Sequence, residues 1–387
     1  MLIRAGLAAD FPFASQLLTT GVVRRSGSLQ RAIAISMQRM WRPTGDSGNA
    51  AGTGGAETTM MTRQSATESN LRHAPVMLDE AMLGLAVRPG GSYIDATFGG
   101  GGHSRAILEH GGRVMAIDAD PAAAIRAASL RQTLDQPDRF TFTSGNFGDL
   151  GQLAAASGFE KVDGVLFDFG LSSFQLDDPE RGFAFRFEGP LDMRMNPQIG
   201  APASSLIATM SEDELARMFR DFGEEPRARQ IARAIVAQRE RQTIDSTAQL
   251  AAIIERSVGG RRGARIHPAT KAFQALRIVV NDEISVIERG VRAAIDLLAP
   301  GGRLVTIAFH SLEDRPVKAI IAAESAACFC PPEQPVCTCG AEPRLKRIGG
   351  SKRSTDSEQA QNPRARSAVM RVAERLPSGK REDREVR

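Results

Sequence analysis

Residues 92–104 read Ser-Tyr-Ile-Asp-Ala-Thr-Phe-Gly-Gly-Gly-Gly-His-Ser. The apolar residues predict a short strand over Ser92–Phe98, and a helix is predicted from His103 to about His110. Because glycine has no Cβ, four consecutive glycines let the loop backbone approach a ligand closely. The helix start also offers N–H groups to a carboxylate or phosphate. The stretch therefore predicts a strand–loop–helix unit that binds a nucleotide-type ligand, although a tight turn without a ligand fits the same pattern.

Strands and helices alternate along the chain on both sides of this loop. The other predicted strands are Arg113–Ile117, Phe140–Thr143, Val162–Phe167, Arg303–Ala308 and Ala368–Val372. The other predicted helices of the alternation are Leu78–Leu85, Pro121–Leu134 and Glu283–Leu298. Alternation at this spacing predicts an α/β fold with a doubly wound, Rossmann-like parallel sheet. Its ligand site is expected at the carboxyl ends of the strands.

The alternation stops after Asp168 and gives way to a helical pattern over residues 189–277, in which Ser211-Glu-Asp-Glu214 resembles a capping box. The simplest interpretation is one discontinuous α/β domain, residues 73–188 and 278–376, interrupted by an inserted helical domain for substrate recognition. Residues 345–367 are polar and basic and are predicted to be loop, and residues 377–387 form a polar tail.

The N-terminal segment, residues 1–72, differs from the rest of the chain. Its first 45 residues hold six arginines against one acidic residue, Asp10, and a Gly/Ala/Thr-rich run follows. Such a composition is typical of an organellar transit peptide. It also fits translated upstream sequence, with the true start at Met60 or Met61, or an RNA-binding arm. We expect a bacterial cytoplasmic protein, or a mitochondrial or plastid one if the segment is a transit peptide.

The composition limits the classes of protein to which the chain can belong. Of its 387 residues, 42% are hydrophobic and 24% are charged, which excludes a wholly disordered or fibrous chain. No run approaches the ~20 apolar residues that span a bilayer, so a transmembrane protein is excluded. The pI of about 9.1 is compatible with an anionic partner.

All four cysteines fall within twelve residues, at Cys328, Cys330, Cys337 and Cys339. This clustering argues against a disulfide scaffold and favours a reducing compartment. The two Cys-x-Cys pairs match poorly the two- to four-residue spacers of structural zinc sites. A reduced surface loop is therefore the expectation, with zinc as the alternative and no metal assigned.

Two acidic residues at predicted strand ends suggest the ligand. Asp118 follows the glycine loop by about twenty residues, where a carboxylate can accept hydrogen bonds from both ribose hydroxyls. Dinucleotide-binding proteins prefer Gly-x-Gly-x-x-Gly, which this loop lacks. Asp95, just before the loop, suits a cationic ligand group better than a pyrophosphate. These charges favour S-adenosylmethionine, with its sulfonium and amino groups, over a dinucleotide.

The next two strand ends extend the predicted site. The third strand leads to Phe147, whose ring is suited to packing on an adenine. The fourth strand ends in Asp168-Phe-Gly-Leu-Ser-Ser173, which would face the methyl acceptor. A helix-capping aspartate with a serine-rich turn is the alternative interpretation of this second stretch.

Taken together, these segments resemble the MraW/RsmH-type methyltransferases, which methylate N4 of a cytidine in 16S ribosomal RNA. The matching stretches run in order over about residues 73–376: His73–Val76, Asp95–Ser104, Asp168–Ser173, Glu180–Phe185, Gly189–Met195, Gly223–Glu225, His267–Thr270, Phe273–Arg277, Phe309–Arg315 and Asn362–Ser367. The resemblance implies a class I methyltransferase fold, S-adenosylmethionine as cofactor, and the decoding region of small-subunit RNA as substrate. The cofactor residues it implies are Gly101, Gly102, His103, Asp118, Phe147, Asp168 and Gln175, with His103 acting mainly through its backbone N–H.

The chemistry requires a group that orients a poorly nucleophilic cytosine amine and accepts its proton. Asp168 is the candidate, and His310 and Ser311 are candidates for contacting the target nucleotide. The chain lacks the Asp/Asn-Pro-Pro-aromatic peptide common among amino-methyltransferases. A methyltransferase for another RNA base or a small amine, and a non-catalytic ribosome-assembly factor, are the alternatives. The expected partner is 16S RNA, within the small subunit.

Basic residues of the helical region and of the C-terminal region are candidates for phosphate contacts. They are Arg227, Arg229, Arg233, Arg261, Arg262 and Arg265 in the first region, and Arg344, Lys346, Arg347, Lys352, Arg353, Arg364 and Arg366 in the second.

Overall fold

The computed structural model describes residues 75–261, 266–331, 334, 336 and 338–377. The predicted leader over residues 1–72 and nearly all of the predicted polar tail lie outside these residues. Within them, no helix combines the length and the apolar character needed to cross a membrane.

Strands and helices alternate up to the fourth strand, as predicted, and the remaining strands follow a run of helices. The helices are α1 Leu78–Leu85, α2 Gly102–Glu109, α3 Ala123–Gln132, α4 Leu150–Ala156, α5 Ser173–Asp177, α6 Ala203–Thr209, α7 Glu212–Asp221, α8 Ala228–Arg239, α9 Thr247–Ser257, α10 Ala269–Val280, α11 Glu283–Leu297, α12 Ser311–Glu324 and α13 Asp356–Gln361. The strands are β1 Ser92–Asp95, β2 Arg113–Asp118, β3 Phe140–Ser144, β4 Val162–Asp168, β5 Leu298–Ala308, β6 Leu345–Arg347, β7 Lys352–Arg353 and β8 Val369–Arg375.

The sheet has the strand order β3-β2-β1-β4-β5-β8-β6, and β7 pairs with β8. Strands β1 to β5 are parallel, whereas β8 is antiparallel to β5 and to both short strands. The strand order reverses between β1 and β4, so the crevice at their carboxyl ends is the expected ligand site. The doubly wound, Rossmann-like fold is therefore confirmed.

Both faces of the sheet are buried. Along β2, Val114 and Ala116 belong to one core cluster and Met115 and Ile117 to the other, and all four are wholly buried. Successive side chains of a strand point to opposite faces, so each face carries an apolar layer. Strands buried on both faces read as continuous apolar runs, and this is why the sequence revealed them.

Helices fill the region between β4 and β5, as predicted for residues 189–277. The capping box of α7 is present, because Ser211 Oγ accepts from the Glu214 N–H and the Glu214 carboxylate accepts from the Ser211 N–H. The division of this region into a separate domain stays a prediction.

The prediction of loop over residues 345–367 is wrong, because β6, β7 and α13 lie there. Both strands are only two or three residues long and expose lysines and arginines. Short, charged strands are typical of sheet edges, and they lack the apolar signal of central strands. The fifth strand also begins earlier than predicted, at Leu298, and is irregular where it passes Val162–Gly164 of β4.

Candidate active site

A cavity of about 660 Å³ opens at the carboxyl ends of the parallel strands. Six of the seven cofactor residues implied by the resemblance line it: Gly102, His103, Asp118, Phe147, Asp168 and Gln175. Residues from α10 and α11 complete the opposite wall. The fold thus brings together positions that are up to 73 residues apart in the sequence.

The glycine loop has a shape that side chains would prevent. Gly101 adopts φ +79°, in the left-handed region, and a Cβ there would lie 2.7 Å from the Phe98 ring. A Cβ on Gly102 would lie 2.8 Å from Pro75. Gly102 opens α2 and faces the cavity, whereas Gly101 shapes the turn without lining it. The first N–H groups of α2 are therefore brought to the cavity wall, where they have no partner within their own helix.

Asp95 does not face the cavity, contrary to the expectation that it would meet a cationic ligand group. Its side chain is wholly buried and accepts hydrogen bonds from Ser104 Oγ at 2.6 Å and from the Thr97 N–H at 3.2 Å. Burial raises the pKa of this carboxyl. Asp95 instead fixes the loop and the start of α2, and Thr97 Oγ1 in turn accepts from the Asp168 N–H at 2.7 Å.

His103 joins the loop to the segment before α1. Its Nε2 lies 3.1 Å from the Val76 carbonyl oxygen and donates to it, so Nδ1 carries the lone pair. Burial lowers the pKa of His103 to about 4, and the ring is neutral at physiological pH. Nδ1 lies 3.9 Å from Asp168 Oδ2, which is too long for a hydrogen bond. The predicted contact of its backbone N–H with the cofactor stays a prediction.

Asp118 braces the glycine loop from the end of β2. Its two oxygens accept from the Gly99 N–H at 2.8 Å and the Asp120 N–H at 2.9 Å. Burial raises the pKa of Asp118 to about 6, against the lowering effect of these hydrogen bonds and of Arg126. Each carboxylate oxygen can accept more than one hydrogen bond, so ribose hydroxyls can add to this set.

Phe147 and Gln175 both line the cavity. The Phe147 ring packs edge-on against Phe167 with a centroid distance of 5.5 Å. Gln175 is 6% exposed, and its Oε1 accepts from the Ser172 N–H at 3.0 Å in the capping box of α5. The Gln175 amide nitrogen is thus the group that can donate to a ligand.

Asp168 ends β4 at the centre of the cavity wall. Its Oδ1 is buried and has no hydrogen-bond partner among the described residues. Burial raises the pKa of Asp168 well above its ordinary value, and the nearby charges of Asp95 and Glu313 add to this effect. A desolvated carboxyl with an unused acceptor is suited to binding an N–H group and to accepting a proton.

A buried charge network lines the opposite side, and sequence reasoning missed its centre. Arg277 donates to both oxygens of Glu283 at 2.7 and 2.8 Å and to Glu313 at 3.3 Å. His310 Nε2 lies 2.9 Å from Glu313 and 3.1 Å from the guanidinium. The guanidinium occupies the centre of the Glu283–His310–Glu313 group, so this group is an ion-pair network rather than a metal centre.

The two predicted nucleotide contacts, His310 and Ser311, do not line the cavity, whereas Phe309 and Glu313 beside them do. His310 is held by the network, and its Nδ1 is buried without a partner in the described part of the chain. Ser311 is exposed and donates to Glu224 at 3.2 Å. Their contact with a nucleotide stays a prediction.

Two further wall residues were not assigned to the cofactor site from the sequence, which gave Arg364 only as a candidate for phosphate contacts. Arg364 donates to Ser173 Oγ at 2.6 Å, and its charge lowers the pKa of Asp168. Asn281 accepts from the Met195 N–H at 2.7 Å and donates to the Met193 carbonyl at 2.8 Å. Arg364 lies in a stretch that carried the resemblance, which was the available signal, whereas Asn281 followed such a stretch without any signal of its own.

Six of the thirteen predicted phosphate-binding residues fall into three pairs. Arg262 and Arg265 lie outside the described residues. Arg227 and Arg344 are engaged within the protein, the first with the Val258 carbonyl at 2.7 Å and the second with Asp296 and Glu324. Lys352 and Arg353 form β7, which pairs with β8 beside the carboxyl end of β5. This last pair is exposed at the cavity edge of the sheet.

The site is of the nucleotide-binding type found in methyltransferases. It is defined by the order of the strands, the glycine loop, Asp118 at the end of β2 and the buried carboxyl of Asp168 at the end of β4. Its residues fit S-adenosylmethionine, since the start of α2 faces the cavity and Asp168 Oδ1 has no hydrogen-bond partner among the described residues. The chain belongs to the MraW methylase family, whose model matches residues 70–376. It is therefore an S-adenosylmethionine-dependent methyltransferase, as expected from the sequence.

Relatives with assigned names are similar over most of the chain. The chain is 56% identical over 308 residues to the ribosomal RNA small subunit methyltransferase H of Thermomicrobium roseum, covering 79% of this chain and 94% of that protein. It is 46% identical over 310 residues to the protein of the same name from Heliobacterium modesticaldum, covering 79% of this chain and 98% of that protein. The resemblance stated from the sequence is thus confirmed.

Proposed function

We propose that the protein transfers the methyl group of S-adenosylmethionine to the exocyclic N4 amine of a cytidine in 16S ribosomal RNA. The names of its relatives specify small-subunit RNA, and the chain spans nearly their whole length. The decoding region as target, the small subunit as partner and the bacterial cytoplasm as location belong to the same proposal.

The carboxyl of Asp168 is the observation that carries the proposal. A cytosine amine is a weak nucleophile because its lone pair is delocalised into the ring. A group that accepts hydrogen bonds from its N–H groups orients the nitrogen lone pair. The same group stabilises the positive charge that develops on the amine, and accepts its proton, as the new bond forms. Asp168 Oδ1 is buried, unpaired among the described residues and on the cavity wall. The raised pKa gives this carboxylate a high affinity for the amine proton.

The other wall residues would hold the cofactor, which supplies the methyl group on a sulfonium. The N–H groups of Gly102 and His103, at the start of α2, would donate to the carboxylate of the cofactor's amino-acid portion. Asp118 would accept from the ribose hydroxyls, and Phe147 would pack on the adenine. Gln175 would donate through its side-chain amide. These contacts would hold the cofactor beside Asp168, and such positioning makes a reaction effectively unimolecular.

The test uses a labelled methyl donor with isolated small subunits and with protein-free 16S RNA. Digestion of the product RNA to nucleosides is expected to yield N4-methylcytidine. Label in another base would identify another RNA methyltransferase. Subunit binding with no transfer to either substrate would support an assembly factor and overturn the proposal.

Asp168→Asn tests the role of the carboxylate. We expect kcat to fall by about 10² to 10⁴, because the proton acceptor is lost, and cofactor affinity to fall much less. Asp163→Asn, at the amino-terminal half of the same strand, is the matched control and should leave kcat unchanged. Equal losses of turnover and cofactor affinity would contradict the assignment and leave Asp168 as a cofactor-binding residue.

A further inference from the structure

Three cysteines lie together in the segment between α12 and β6. The sulfur atoms of Cys328, Cys330 and Cys339 all lie within 4.8 Å of one another, and those of Cys328 and Cys339 are 3.8 Å apart. No disulfide joins these three residues to one another. The fourth cysteine of the sequence, Cys337, lies outside the described residues. The fold thus gathers thiols from both Cys-x-Cys pairs at one point.

The sulfur–sulfur distances fit a shared metal ion. Zinc binds thiolates at about 2.3 Å in a tetrahedron, whose edge is therefore about 3.8 Å. A disulfide would need about 2.0 Å. The short spacer within each Cys-x-Cys pair matches the usual spacing of structural zinc sites poorly. In the folded chain the 3.8 Å contact joins Cys328 to Cys339, across the pairs, so the spacer within a pair does not set this geometry.

Backbone donors converge on the same sulfur atoms. The Cys330 N–H donates to Cys328 Sγ at 3.3 Å, and the Phe329 N–H donates to Cys339 Sγ at 3.3 Å. Such donors favour the thiolate form, which is the form that binds metals.

We propose that Cys328, Cys330 and Cys339 supply three thiolate ligands of a structural zinc ion. Sulfur-rich tetrahedral sites select zinc or iron–sulfur clusters, and a single zinc ion suits sulfur atoms this close together. A water molecule can complete the tetrahedron as the fourth ligand. Zinc binding would also stabilise the segment between α12 and β6. Its apolar residues Phe329 and Val336 are 64% and 70% exposed, so they contribute little buried apolar surface.

The place of the cluster in the fold indicates a structural role. Helix α12 begins at the cavity edge with Ser311 and ends at Glu324, where Arg344 pairs with Glu324 and Asp296. Strand β6 pairs with the carboxyl end of β8, beside the amino-terminal half of β5. The cysteines therefore lie toward the edge of the sheet opposite the cavity. Metal loss should destabilise this segment without removing cofactor binding.

The test measures zinc in the full-length protein purified without added metal. About one zinc ion per chain is expected, and cobalt replacing it should give the intense visible bands of tetrahedral thiolate coordination. Cys328→Ser, Cys330→Ser and Cys339→Ser should each lower the zinc content to below about one tenth. Thr338→Ala, in the same segment, is the control and should keep its zinc.

Two further measurements keep the proposal open to refutation if a variant is unstable. Calorimetry with S-adenosylmethionine reports whether each variant retains the cavity, and chelation of wild-type zinc should lower the melting temperature without changing cofactor affinity. Absence of zinc together with failure of the apoprotein to bind cobalt would overturn the proposal. Iron with bound sulfide, or a disulfide among these cysteines in freshly purified protein, would also overturn it.

Discussion

Replacing Asp118 with asparagine should weaken cofactor binding. It should also raise the stability of the protein, relative to wild type, as the pH increases from acidic to neutral. In the free protein this carboxyl is desolvated, and its pKa rises from the ordinary 3.8 to about 6. The folded state therefore binds its proton more tightly than the unfolded state does. The resulting stabilisation is fully present below about pH 3.8 and is lost as the pH rises through 6.

The magnitude follows from the two pKa values. By proton linkage, a carboxyl with these values stabilises the folded state by about 2 kcal/mol more at about pH 4.5 than at about pH 7.5. Asparagine cannot titrate, so Asp118→Asn lacks this contribution at every pH. The stability of the wild type relative to the variant should therefore fall by about 2 kcal/mol between these pH values. The lost hydrogen bonds to Gly99 and Asp120 shift the whole curve without changing this difference.

Urea unfolding of both proteins without cofactor, at a series of pH values, measures the difference directly. Calorimetry at pH 7.5 supplies the second arm, in which Asp118→Asn should bind S-adenosylmethionine roughly ten- to a hundredfold more weakly, as expected for hydrogen bonds to a charged acceptor. Wild-type affinity should also fall as the pH drops below 6. Asp138→Asn, on a fully exposed side chain, is the control for removing a carboxylate. Parallel unfolding profiles for wild type and Asp118→Asn would refute the assigned desolvation.

Three other changes test the remaining parts of the site. Gly102→Ala should weaken cofactor binding by about five- to 150-fold in calorimetry, because its Cβ would lie 2.8 Å from Pro75 and displace the glycine loop, at a cost of about 1–3 kcal/mol. Glu283→Gln should destabilise the protein by about 3 kcal/mol in urea unfolding, since it leaves the buried Arg277 guanidinium without its two-point partner. Small-subunit RNA binding, followed by filter retention, should fall steeply with salt and less steeply for Lys352→Gln combined with Arg353→Gln, each removed phosphate contact lowering the slope by about 1.

The central sheet was predictable because its signal is local. Strands β1, β2 and β4 are largely buried on both faces, so each reads as an isolated apolar run. The edge strands β6 and β7 are stabilised by pairing with β8. This pairing does not require apolar residues in the two short strands, so their composition does not indicate a strand. The sequence accordingly revealed the layers of the fold but missed the strands that complete its edge.

The site divides in the same way. Asp118 and Asp168 were found because parallel strands bring their carboxyl ends to one edge, which is a property of the fold class. Arg277 and Glu283 were not found, since an arginine and a glutamate six residues apart are typical of solvated helix surfaces. Their burial depends on helices α10 and α11 closing over the cavity. Only tertiary packing distinguishes the two cases.

The electrostatics of the cavity give Asp95 a role different from the one expected of it. Asp95 does not line the cavity, but its charge helps to raise the pKa of Asp168, and Glu313 acts in the same direction. Ionisation of these desolvated carboxyls is thus unfavourable. The positive charge of Arg364 opposes this effect at Asp168. A ligand carrying a positive charge lowers the free energy of ionisation on entering, and a neutral one does not. After transfer, the demethylated donor has lost its sulfonium charge, so the same field that favours the donor favours release of the product.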